Sequence, residues 1–191
     1  MQEYELKFLE VNVKELEKKL LSIGAEKVGE YDLDRINFDY PDFRLRKIHA
    51  WLRLRTDGKE TTLTYKQNIK GDSIDGRTKN IGCKEIEIKI DNFENGKVLL
   101  ETLGFIPSIF ENNKRIKYKK DDVIYDIDSW PFIPTYLEIE TISYEKAKEV
   151  AREIGLDGEQ GVIGSAGSIY KMYGYDIDDY SSITFEGMIK K

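Results

Sequence analysis

The sequence predicts an α+β fold in a single domain, in which antiparallel strands carry charge on one face and apolar residues on the other, with helices packed on the apolar side. Three observations lead there. Glu-x-Glu occurs in three extended stretches, at Glu3/Glu5, Glu85/Glu87 and Glu138/Glu140. Each is followed by a helix signal and a glycine stop. Between them run alternating strands whose polar face holds arginine and lysine.

Successive side chains of a strand point to opposite faces, so Glu3, Glu5 and Lys7 project together, opposite Tyr4, Leu6 and Phe8. Same-face carboxylates lie about 6.5–7 Å apart, close enough to act on one small cation or on two adjacent ones. The helix after the first pair has Asn12 as N-cap, Glu15 three residues on, apolar Val13, Leu16, Leu20 and Ile23, and Gly24 as its stop. After the second pair, Asp91 or Asn92 caps a helix through Val98, Leu99 and Leu103 to Gly104. After the third, Ser143 caps one through Ala147, Val150 and Ile154 to Gly155.

A strand is expected around Ile36 to Asp39, before the turn Tyr40-Pro41-Asp42. The next runs from Ala50, with Arg53 and Arg55 opposite Leu52 and Leu54, and turns at Asp57-Gly58. Its return arm, Thr61 to Gln67, sets Thr62, Thr64 and Lys66 opposite Leu63 and Tyr65. Asn68 to Gly82 lacks periodicity and reads as a long surface loop, a lid or a disordered connector. Over Ile109 to Lys120, Arg115, Lys117 and Lys119 alternate with Ile116 and Tyr118; over Val123 to Asp128, Ile124, Asp126 and Asp128 share a face. From Leu156 the chain is rich in Gly and Tyr. The expected organisation is therefore one domain over 1–191, with a core over 1–155 and an appendage, 156–191, packed across an end or edge of the sheet.

With 191 residues and 40% hydrophobic content the chain can bury a sizeable core. A net charge of −6 disfavours a general nucleic-acid or anionic-membrane binder, so an anionic ligand must be met by a local basic pocket. One cysteine, Cys83, excludes a disulfide framework and a Cys-rich zinc site. With no apolar leader and no run of about 20 apolar residues, a cytoplasmic location is expected. Cys83 reads as a strand residue, His49 as a hairpin-edge residue, and Trp51 and Trp130 as core or rim packing.

The charged faces have two readings. They are the solvated side of an open sheet, or they line the interior of a barrel whose apolar outside is covered by the three helices. Sorting by sign favours an interior for metal ions and a polyanion. Carboxylates fall at Glu3, Glu5, Glu85, Glu87, Asp128, Glu138 and Glu140; cations fall at Lys7, Arg53, Arg55, Lys66, Arg115 and Lys117. Carboxylates without His or Cys suit Mg²⁺ or Mn²⁺, and Arg and Lys suit phosphate oxygens.

Taken in order, Glu3-x-Glu5-x-Lys7, Leu52-Arg53-Leu54-Arg55, Leu63-Thr64-x-Lys66, Glu85-x-Glu87, Arg115-x-x-Tyr118, Ile127-Asp128 and Leu137-Glu138-Ile139-Glu140 resemble the motifs of the CYTH superfamily, the triphosphate tunnel metalloenzymes. The resemblance implies an antiparallel β-barrel tunnel that binds a small-molecule triphosphate with Mg²⁺ or Mn²⁺. It implies metal binding by the seven carboxylates, phosphate binding by Lys7, Arg53, Arg55, Lys66 and Arg115, and a catalytic centre at Glu3, Glu5 and Lys7. The chain departs from the pattern at Cys83, where the family often has Arg, and at Asn113, where it often has Lys; either Lys84, Lys114 or Lys117 compensates or the phosphate grip differs. The implied activity is a triphosphatase. The alternatives are a class IV adenylyl cyclase and a non-catalytic triphosphate-binding module. Class IV cyclases tend to carry a His-Phe extension before the first strand, where only Met1 and Gln2 stand here. A homodimer is compatible with the barrel edges, though nothing in the sequence specifies one.

Overall fold

The computed structural model describes the backbone of residues 2–74 and 77–191 and the side chains of residues 4–69 and 83–191. The elements run β1 (Gln2–Phe8), α1 (Val13–Ser22), β2 (Glu26–Asp39), α2 (Arg44–Lys47), β3 (Ala50–Thr56), β4 (Thr61–Ile74), β5 (Arg77–Ile90), α3 (Phe93–Thr102), β6 (Ile106–Lys120), β7 (Val123–Ser129), β8 (Tyr136–Thr141), α4 (Tyr144–Glu153), α5 (Ala166–Met172), β9 (Tyr180–Thr184) and β10 (Gly187–Lys190). Strand neighbours follow the order β6-β2-β3-β4-β5-β1-β8-β7, and β7 pairs back onto β6. Eight antiparallel strands thus curl into a barrel-like tunnel, with the β1–β5 joint resting on Gln2 opposite Lys84 and Glu3 opposite Cys83. Long β6 makes this possible. One of its edges pairs with β2 along nearly its whole length, while the other pairs with β7 over Lys114–Lys120 and in parallel with β9 at Phe110 and Glu111.

Most of the apolar faces are covered, though Ile86 and Ile88 of β5 stay exposed. Leu6, Phe8, Tyr125, Ile127, Leu137 and Ile139 pack with Leu16 and Leu20 of α1 and Ala147, Val150 and Ala151 of α4. Ile36, Phe38 and Leu54 pack with Leu100 of α3. Ile169 and Tyr170 of α5 and Ile183 of β9 join Ile109, Trp130 and Tyr136 in a third cluster. Asn12, Asn92 and Ser143 each accept a hydrogen bond from the backbone N–H three residues on, as their caps require. Gly24, Gly104 and Gly155, at φ of 82°, 89° and 74°, end the helices in the left-handed conformation that favours glycine.

Two stretches differ from expectation. Within the stretch expected to be a loop, 68–74 continues β4 and 77–82 continues β5, paired as far as Ile74 opposite Arg77, while 75 and 76 lie outside the described residues. Its alternation is hidden because Lys70, Gly71, Asp72 and Ser73 offer no apolar face. β2 begins at Glu26, ten residues before the expected strand. Its first half is mostly exposed and held by pairing with β6, so no buried period marks it.

Candidate active site in the tunnel

A cavity of about 670 Å³ occupies the tunnel interior. Strand register brings the charged residues together there: Lys7 lies opposite Glu138, Glu5 opposite Glu140, Lys66 opposite Glu85, Arg115 opposite Asp128, and Asn37 opposite Arg53. Of the residues singled out from sequence, Glu5, Lys7, Arg53, Arg55, Lys66, Glu85, Glu87, Arg115, Lys117, Asp128, Glu138 and Glu140 all line this one cavity. The Glu3 backbone pairs with Cys83, while its side chain lies outside the described residues. The solvated-face alternative fails for this set, since Lys7, Asp128 and Glu138 are buried.

Opposite charges meet across the tunnel. Lys7 Nζ is 2.7 Å from Glu138 and 3.1 Å from Glu5. Burial alone would lower the Lys7 pKa, but Glu138 and Glu5 outweigh it and hold it above the usual lysine range. Burial likewise pushes Glu138 up, and Lys7 and Arg115 reverse this to leave it well below the carboxylate range. Lys66 lies 2.6 Å from Glu85 and 3.4 Å from Glu5. Arg115 grips Asp128 with two N–H groups, at 2.7 and 2.5 Å, and reaches Asp126 at 2.5 Å. Thr64 donates to Glu87 at 2.7 Å, and Arg55 lies 3.4 Å from the same oxygen.

Among the cavity-lining residues that sequence reasoning missed are Asp126, Glu111, Asn37 and Arg35. Asp126 is 1% exposed, its Oδ1 has no hydrogen-bond partner, and burial pushes its carboxyl up to about 7 against the pull of Arg115 and Lys117. Glu111 is buried and accepts a hydrogen bond from Asn37 at 2.9 Å. Arg35 is buried over the Trp130 ring, and its Nη2 donates to Asn113 Oδ1. The signals were present: Arg35, Asn37 and Asp39 alternate with Ile36 and Phe38, and Glu111 and Asn113 extend the face of Arg115 and Lys117. Of the three lysines expected to compensate for Cys83 and Asn113, Lys117 lines the cavity; Lys84 and Lys114 are not among its lining residues.

Among the described residues, no three acidic, His or Cys side chains stand together as a ready-made metal cluster. The donor chemistry nevertheless fits a hard divalent cation. The unpartnered Asp126 Oδ1 faces Glu138 in register, and Glu140 is raised by burial, then by Glu5 and Glu138, a repulsion that a cation would relieve.

Fold and site together define an α+β protein built on a barrel-like tunnel whose cavity is lined by both acidic and basic side chains. The CYTH domain model matches residues 1–165, and the chain belongs to this family. A protein of Methanocaldococcus jannaschii provisionally named an adenylate cyclase is 30% identical over 125 residues, 64% of this chain and 67% of that one. A Vibrio parahaemolyticus structure, also provisionally named an adenylate cyclase, superposes with a TM-score of 0.74 at 16% identity, covering 90% of this chain and 98% of that one. A Hippeastrum protein described as having a dominant triphosphatase activity superposes at 0.64 with 16% identity, covering 92% and 97%. Among the described residues no helix is long and apolar enough to cross a membrane.

Proposed function

We propose that the protein hydrolyses the terminal phosphoanhydride of a small-molecule triphosphate held in the tunnel. The observation that carries this is Arg53. Its guanidinium faces the cavity, its Nε has no hydrogen-bond partner, and it makes no carboxylate ion pair among the described residues. Burial, then Arg55 and Arg35, pushes its pKa down to about 9. A cation kept in so unfavourable a place suits an anionic ligand. Arg55, Lys66 and Arg115 extend the same basic wall, and the cavity falls within the range of small-molecule sites.

In this reading Arg53, Arg55, Lys66 and Arg115 hold the phosphate oxygens, while Lys7 stays pinned between Glu5 and Glu138 and sets their orientation. Glu5, Glu85, Glu138 and Glu140, with Glu3, Glu87 and Asp128, would hold Mg²⁺ or Mn²⁺. When bound, the cation supplies charge neutralisation and an activated water. In the hydrolysis, water would add in line to the terminal phosphorus and release a proton to solvent, while the bridging P–O bond would break with its electron pair leaving on the shortened phosphate. Enclosure by the strands keeps the chain extended along the basic wall.

The cyclase reading draws on the name of the Methanocaldococcus relative and on a cavity with room beyond a triphosphate. Phosphorus NMR on tripolyphosphate and on ATP, with Mg²⁺ or Mn²⁺, separates the two. Orthophosphate release, abolished in Glu5→Gln and Arg53→Ala, supports the triphosphatase. Cyclic AMP with pyrophosphate overturns it in favour of the cyclase, and metal-dependent binding without turnover leaves a binding module.

A further inference from the structure

We infer that Arg35 is an additional phosphate-binding residue, aimed by Asn113 and Trp130. The inference deepens the triphosphate reading above and rests on it. Arg35 is 5% exposed, lines the cavity and makes no carboxylate ion pair among the described residues. The nearest compensating charge is Glu111, its cross-strand partner on β6, and Glu111 already accepts from Asn37. Burial leads in pushing the Arg35 pKa down to about 10, Glu111 opposing it and Arg115 adding to it. The Nε hydrogen of Arg35 has no partner among the described residues.

Two contacts fix the group's direction. Asn113 accepts from Nη2 and turns its own amide to Asp128 Oδ1 at 3.1 Å, so Arg35 is tied to Asp128 and through it to Arg115. The guanidinium carbon lies 4.4 Å from the centre of the Trp130 ring, which holds its plane. Across β2 and β3, Arg35 is paired with Arg55 and diagonal to Arg53. Three guanidinium groups on two adjacent strands therefore face one cavity, and only Arg55 meets a carboxylate, at 3.4 Å. Packing alone is a poor reason for this arrangement, because an apolar side chain would cover Trp130 without the desolvation cost. A phosphoryl group bridging Arg35 and Arg53 would satisfy both free Nε hydrogens.

The test is calorimetric binding of imidotriphosphate, the hydrolysis-resistant analogue of tripolyphosphate, in Mg²⁺. Arg35→Gln is expected to weaken binding by roughly tenfold to a hundredfold, with partial recovery in Arg35→Lys. Arg53→Gln is the reference. If Arg53→Gln loses affinity while Arg35→Gln binds as wild type, the triphosphate reading stands and the role of Arg35 is overturned. Should the wild-type protein fail to bind the analogue, the triphosphate reading itself falls. A second measurement keeps Arg35 in place. In Trp51→Phe, Trp130 is the remaining tryptophan, and its emission is expected to shift as the analogue saturates the protein. Calorimetric saturation with unchanged Trp130 emission would overturn the inference without relying on an Arg35 variant that folds.

Discussion

Removing the charge at position 53 should stabilise the ligand-free protein while disabling it. Arg53 has no carboxylate partner among the described residues and its pKa is depressed by burial, so the folded state bears its charge at a cost below about pH 9. Arg53→Met is expected to raise Tm by roughly 2–4 °C, a gain of about 1 kcal/mol in a chain of this size, and to lower triphosphate turnover by about two orders of magnitude. A Tm at or below wild type would mean that Arg53 is structural. Asp126 predicts a pH signature. Its folded pKa, about 7, lies above the unfolded value, so the folded state takes up a proton first and stability rises as pH falls through 7. Glu138 works oppositely: its folded pKa is lowered, and its stabilisation is lost as pH falls below the ordinary carboxylate range. Melting curves from about pH 4 to about pH 8 should therefore peak at mildly acidic pH, and Asp126→Asn should flatten the limb above the peak. An unchanged limb in the variant would assign the effect elsewhere. Most of the cavity's charges were legible because Glu-x-Glu and Arg-x-Arg imply a shared face on any strand. Arg35 and Asp126 lie on alternating faces that the sequence shows, but a two-residue period does not tell which members of a face the closed tunnel buries or leaves without a partner.

At the scale of elements, the helices were legible and the long strands only in part. Capping is a local device, read three residues at a time, and Asn12, Asn92 and Ser143 all cap as their spacing requires. Strand extent depends on a partner far along the chain, which is why the early half of β2 and the outer halves of β4 and β5 escaped notice. The tight packing after α4 was equally hidden. Gly158 is buried, and a Cβ there would sit 2.7 Å from the Lys148 carbonyl oxygen of α4, a backbone atom that cannot swing aside. Gly158→Ala is expected to destabilise the protein by about 1–3 kcal/mol through overpacking. Ser143→Ala, which removes the α4 cap, should cost about 1 kcal/mol. Denaturant titration of both variants checks the pair; a larger loss from the cap than from the glycine would show that the α4 turn yields more readily than its backbone contact implies.

On the scale of the whole molecule, several of the tunnel's charges satisfy one another across the strands, while Arg35 and Arg53 have no carboxylate ion pair among the described residues. Lys7 is paired with Glu138, Lys66 with Glu85 and Arg115 with Asp128 across the strands. A triphosphate entering alone would draw Lys66 away from Glu85 and Arg115 away from the buried Asp126 and Asp128. A divalent cation entering alone would strand the lysines and arginines in the same way. Bound together, each takes up the partners the other releases, so the two should bind cooperatively, each raising the other's affinity by the same factor. Melting curves with Mg²⁺, with imidotriphosphate, with both and with neither test this, because a ligand of the folded state stabilises in proportion to RT ln(1 + [L]/Kd). The shift with both ligands is expected to exceed the sum of the separate shifts by several degrees. Glu138→Gln, which removes one carboxylate from the exchange, should bring the combined shift back towards additivity. An additive response in the wild-type protein would mean that the cross-tunnel pairs stay closed around the ligands and that the two kinds of charge act independently.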